Sequence, residues 1–112
     1  MSKRVELKCT IKNANAEMMR KALNNMLKFF DGSMRNISEN KVSLKCDKLG
    51  MFGTYISVEN GKLVVEGYDD YNETGKVKQA VENFYTATMF EEEFNSPMEM
   101  DEEGDIVLMV EA

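Results

Sequence analysis

The chain has 112 residues, with 14 Lys/Arg against 20 Asp/Glu for a net charge of −6, two Cys and no His. That length is expected to form one domain spanning 1–112, able to bury a core without a metal or a disulfide framework. The acidity disfavours a nucleic-acid backbone as a direct partner, because phosphate contacts need clustered Lys and Arg.

The total hides a polarity. Residues 1–62 hold twelve basic and six acidic side chains, a charge of +6, whereas residues 63–112 hold two and fourteen, a charge of −12. Either the two halves attract each other within the fold or each sign faces a different partner.

Residues 4–12 alternate strictly, with Val5, Leu7, Cys9 and Ile11 on one side and Arg4, Glu6, Lys8, Thr10 and Lys12 on the other. This is a half-buried strand. Met1-Ser-Lys-Arg leads directly into it, without the apolar segment of a signal peptide, and no run is long enough to cross a bilayer, so the expected setting is cytoplasmic. Met19, Ala22, Leu23, Met26, Leu27 and Phe30 then fall at helical spacing, behind a cap at Asn13 or Asn15. Asp31-Gly32 should end this helix, with Gly32 at the left-handed position. Residues 33–41 read as a loop with at most a short strand near Met34–Ile37.

Alternation returns at 42–47, where Val42, Leu44 and Cys46 share a side. Gly50-Met-Phe-Gly53 suggests a turn or bulge with Met51 and Phe52 exposed. Tyr55–Tyr68 is the sharpest signal in the chain. Asn60-Gly61 supplies the two positive φ angles that a type I′ hairpin turn requires, which pairs Glu59 with Lys62, Val58 with Leu63 and Ile56 with Val65. Ile56, Val58, Leu63 and Val65 then form one apolar face.

Val77, Ala80, Val81, Phe84, Tyr85 and Thr88 carry a second helical stripe, capped at Asn72 or Thr74 and stopping between about Met89 and Phe94. Residues 91–105 form an acidic, loop-like segment. Ile106–Val110 is apolar without alternation, as expected of a strand covered on both faces, either centrally in the sheet or by the second subunit of a homodimer. The expected fold is α+β in the order β-α-(β)-β-β-β-α-β, a largely antiparallel sheet with two amphipathic helices on one face.

No constellation for catalysis stands out. Without His the commonest general acid/base is missing, and Cys9 and Cys46, set in apolar alternation, read as buried free thiols rather than nucleophiles or a zinc pair. Asp70-x-Asn72-x-Thr74-Gly75 and Glu99-x-Asp101-x-Glu103-Gly104 begin like calcium loops. Both place Val, at 81 and 110, where the twelfth-position Glu is required, so neither a metal nor a cofactor is expected.

Two clusters remain as candidate binding residues. Tyr68-Asp69-Asp70-Tyr71 sets two rings beside two carboxylates, suited to a basic side chain or a nucleobase amino group, or else simply to a turn into the helix. Glu91, Glu92, Glu93, Glu99, Asp101, Glu102, Glu103 and Asp105 place eight carboxylates in fifteen positions. Such a run either solvates the surface or mimics phosphate in the basic groove of a nucleic-acid-binding protein, with Phe90, Phe94, Met98 and Met100 as apolar anchors.

Two segments, Val5–Lys12 continuing to Ala22-Leu23 and Gly61–Asn72, resemble a small domain-of-unknown-function family of plastids, cyanobacteria, other bacteria and phages, which has a β-α-β-β-β-α-β order. The second is similar to that family's Tyr-Asp-Asn-Tyr stretch, with Asp70 in place of Asn. The resemblance implies a fold and no activity.

The functional expectation is a non-enzymatic acidic binding protein acting on a basic protein surface, of the kind a phage or mobile-element inhibitor of a host nucleic-acid-binding system would present. The alternative is a small-ligand or nucleotide-binding domain that uses Tyr68–Tyr71 together with the Phe52–Tyr55 region.

Overall fold

A computed structural model describes residues 4–68, 73–95, 97–103 and 105–108, with Leu108 described through its backbone alone. The expected α+β class is what it contains: two helices, a five-stranded antiparallel sheet and a small second sheet. The alternating N-terminal segment is β1 (Arg4–Lys8), and the first helical stripe is α1 (Ala16–Phe29). A meander follows, formed by β2 (Ser33–Ser38), β3 (Lys41–Cys46), β4 (Met51–Glu59) and β5 (Lys62–Tyr68), with a short 3-10 turn at Asp47–Leu49. The chain ends in α2 (Thr74–Phe94), β6 (Met98–Met100) and β7 (Ile106–Leu108).

The main sheet has the order β1-β5-β4-β3-β2, every neighbouring pair antiparallel. Its centre is the Asn60-Gly61 hairpin. Both turn residues have positive φ, 51° and 76°, and the register pairs Glu59 with Lys62, Val58 with Leu63 and Ile56 with Val65. Gly61 also accepts a hydrogen bond at its carbonyl from the Ala14 N–H at 2.8 Å, so the hairpin tip holds the loop that leads into α1. Strand β1 returns to the free side of β5, with Leu7 opposite Val65.

Period-2 and period-3.6 stripes meet in one core on one face of this sheet. Met19, Ala22, Leu23 and Met26 of α1 and Val77, Val81, Phe84 and Tyr85 of α2 are buried with Val42, Leu44, Cys46, Met51, Ile56, Leu63 and Val65. Three of those side chains are methionines, whose unbranched chains fill irregular gaps. Cys9 and Cys46 are buried free thiols.

Several sequence expectations change. Residues 33–41 are not mostly loop, because β2 covers Ser33–Ser38. It pairs with β3 as an edge strand whose side chains are nearly all exposed, and so it lacks the burial alternation that marks a strand. Met51 is fully buried, and only Phe52 turns outward, because the bulge between Leu44 and Lys45 in the β3–β4 pairing sets Phe52 opposite Lys45. Gly32 does not take the left-handed conformation. Its missing side chain matters for space: a Cβ there would lie 2.7 Å from the Lys45 carbonyl oxygen and 2.9 Å from the Cys46 Cβ.

Thr74 does not cap α2 but is its first residue, with a buried hydroxyl that has no hydrogen-bond partner among the described residues. Asn72 lies outside the described residues. The 91–105 segment is not loop throughout, since it holds the end of α2 and β6. The described part of the terminal apolar run, Ile106–Leu108, is likewise not in the main sheet: among the described residues it pairs only with β6, and Val107 is 38% exposed, because its register partner Glu99 faces solvent. Met109 and Val110 lie outside the described residues. Among the described residues no helix is long and apolar enough to cross a membrane.

Candidate binding surface

Helix α2 is apolar on two sides. Val77, Val81, Phe84, Tyr85 and Thr88 face α1 and the sheet, while Ala80, Ala87 and Phe90 face the β6–β7 hairpin, which packs back on the helix through Met98, Met100 and Ile106. The helix stops at Asn95, which takes the left-handed conformation (φ 50°) that Asn tolerates better than most residues. The Glu91 carboxylate then accepts the Met98 N–H at 3.1 Å and fixes where β6 begins.

The hairpin tip is built by Asp101. Its Oδ1 accepts the N–H groups of Glu103 at 3.0 Å and Asp105 at 2.8 Å, and its own N–H donates to the Asp105 carbonyl at 2.9 Å. Short Asp side chains favour such local backbone bonds, which is why an acidic sequence here forms a turn.

The eight carboxylates therefore divide by task. Glu91 and Asp101 hold the hairpin, and Glu92 meets Lys21 of α1 at 2.6 Å. Glu93, Glu99, Glu102, Glu103 and Asp105 are exposed and point their charge outward. No Lys or Arg follows Lys78 in the chain, so these charges find no cation nearby in sequence. On the same end of α2, Phe90 and Phe94 stack at 5.7 Å between centroids, 43% and 51% exposed.

No family model, curated protein or solved structure matches this chain.

Between α2 and the hairpin runs an open groove of about 500 Å³, lined also by Phe30, just past the end of α1, and by Leu49 of the 3-10 turn. Ala80, Phe84, Ala87 and Phe90 form one wall, Met100 and Ile106 the other, and Asn83, Thr86 and Asp105 supply its polar atoms. No Lys or Arg is among its lining residues.

Of the Tyr68–Tyr71 cluster only Tyr68 is described, and it is not brought together with Glu91–Glu93. Tyr68 ends β5, opposite Arg4 and exposed, and the chain from it enters the N-terminal end of α2. Glu91–Glu93 lie at the other end of that 21-residue helix, roughly 26 Å away along its axis, whereas the hairpin that carries Glu99–Asp105 folds back along the helix, with Asp105 lining the groove that reaches Ala80. Asp69, Asp70 and Tyr71 lie outside the described residues. Among the described residues no three His, Cys, Asp or Glu side chains are grouped to hold a metal ion.

Sequence reasoning missed the groove, although a signal for it exists. Ala80, Phe84 and Ala87, continued by Phe90 and Phe94, form a second stripe at spacings of three and four on the helix whose first stripe is more obvious.

Proposed function

We propose that the protein is a non-enzymatic acidic binding protein that docks the far end of α2 and the β6–β7 hairpin on a cationic surface of another protein. The observation that carries this reading is the division of labour among the carboxylates: five of them are exposed on the end of α2 and on the hairpin that folds back along it, over a stretch of chain without a single Lys or Arg. Fixed carboxylates on a helix end and a tight turn are pre-organised, so a cationic partner meets them with little ordering cost.

A nucleic-acid-binding protein presents such a cationic surface, and occupying it is how an inhibitor of phage or mobile-element type would act. Association is then steered by charge, fast at low ionic strength and weakened by salt. The absence of His and the burial of both Cys support binding rather than catalysis.

The test compares two variants of equal net charge. One carries Gln at Glu93, Glu99, Glu102 and Glu103; the other carries Gln or Asn at Glu17, Glu39, Asp47 and Glu59, all exposed elsewhere on the molecule. Binding to an immobilised lysine-rich histone is measured at low and near-physiological salt. The first set should abolish retention and the second preserve it. Equal loss in both would reduce the effect to net charge and remove the site.

A further inference from the structure

The groove beside the carboxylates narrows the partner further. Resting on the reading of an acidic docking surface, we infer that its occupant is the apolar face of a cationic amphipathic helix belonging to the partner protein.

Three features point to that chemistry. The wall from α2 is lined at Ala80, Asn83, Phe84, Ala87 and Phe90, the i, i+3, i+4, i+7 rows whose ridges and gaps accept the ridges of a second helix. Ala80 and Ala87 keep the floor low, so a backbone can approach closely while larger anchors sit between Phe84, Phe90, Met100 and Ile106. From Ala80 to Phe90 the wall runs about 15 Å, enough for two or three anchors spaced one helical turn apart.

The rim decides the sign of the partner's charge. Asp105 lines the groove itself, and Glu102 and Glu103 stand exposed at the tip of the hairpin that forms the second wall. A helix with apolar residues along one face and Lys or Arg along its flanks would place its anchors in the groove and its cations at the rim, each group paired by chemistry. An acidic or neutral helix of the same apolar pattern would leave those carboxylates facing like charge or an unpaired, partly desolvated edge. The adaptable Met100 wall suits helices that differ in anchor shape.

The test uses two synthetic peptides of identical Lys/Leu composition, one with Leu at i, i+3, i+4 and i+7 and one with Leu dispersed around all faces. Affinity for the intact chain is measured by titration calorimetry at two salt concentrations. The amphipathic peptide should bind at least roughly tenfold tighter than the dispersed one, the order expected from burying a single added side chain. Thr86→Lys should erase that preference and Thr86→Glu retain it. Thr86 is an exposed helix position, and the melting temperature of each variant confirms that it folds.

Equal, salt-sensitive binding of both peptides would overturn the groove inference and leave the acidic surface standing. Binding of neither peptide, with retention on a lysine-rich histone intact, would do the same. Loss of both peptide and histone binding would overturn the two readings together. Saturation of the groove by an isolated alkylamine as tightly as by the amphipathic peptide would make it a small-molecule site and overturn the helix assignment.

Discussion

Lys21 Nζ lies 2.6 Å from Glu92 Oε1, and this contact joins the basic first half of the chain to its acidic second half across the two helices. A second tie, Arg4 to Glu66 at 2.7 Å, does the same across β1 and β5. The charge polarity of the sequence is thus partly spent inside the fold, and Glu93, Glu99, Glu102, Glu103 and Asp105 are the carboxylates left exposed. The hydrogen bond and then the charge of Glu92 raise the Lys21 ammonium above its ordinary 10.5. The stabilisation from this pair is complete below that value on the alkaline side and is lost as pH rises past it. Both partners are well exposed, so Lys21→Met should lower the urea midpoint only slightly, and the difference should shrink further in high salt.

Tyr85 reaches from α2 to the start of α1. Its hydroxyl oxygen accepts the Asn15 N–H at 3.1 Å, while Asn15 Oδ1 caps α1 by accepting the Met18 N–H at 2.8 Å. Tyr85→Phe leaves a part-buried donor without its acceptor and should cost about 1–2 kcal/mol. Asn15→Ala removes the cap and should cost about 1 kcal/mol. Urea denaturation of the two single variants and the double variant measures both, and a sum of exactly independent effects would show that the cap and the tyrosine do not share the work.

Two glycines should respond to the same substitution with opposite signs. At Gly32 a Cβ meets backbone and packed side chains at 2.7–2.9 Å, so Gly32→Ala should destabilise by about 1–3 kcal/mol. At Gly75, in the first turn of α2, no described residue beyond its own chain neighbours and helix backbone lies within 4 Å of the added carbon. Gly75→Ala should stabilise by up to about 1 kcal/mol, because Ala loses less backbone freedom in a helix. Thermal melts of the pair test the contrast directly.

Burial first, and then the nearby Glu82 carboxylate, pushes the Cys9 thiol up to about 12 from an ordinary 9.0. The folded chain therefore keeps a proton that the unfolded chain releases. The resulting stabilisation is intact below about pH 9 and is lost as pH rises from there toward 12. The urea midpoint should fall between pH 8 and pH 10.5, and Cys9→Ala should flatten that fall. In the native state neither thiol should react with Ellman's reagent within minutes at about pH 8, since reaction needs an exposed thiolate.

The sequence by itself determined the elements whose burial is written in their period. Val5–Leu7, Val42–Cys46 and the Asn60-Gly61 hairpin announce strands, and Met19–Phe30 and Val77–Thr88 announce helices, because a side chain's direction follows from its position along one element, although the alternation through Lys12 overran β1, which ends at Lys8. The carboxylate run was equally legible as composition. Its division into structural and outward-facing charges was not, because Glu91, Glu92 and Asp101 are taken up by a backbone N–H, by a lysine and by a turn. Only the tertiary structure decided that β1 returns to β5, that β2 is a strand without a buried stripe, and that β6 and β7 leave the main sheet to fold against α2. The groove exists only because of that last choice. Its walls come from α1, the 3-10 turn, α2 and the hairpin, brought together by burying apolar surface between elements distant in sequence, and no local period along the chain encodes which element will cover which.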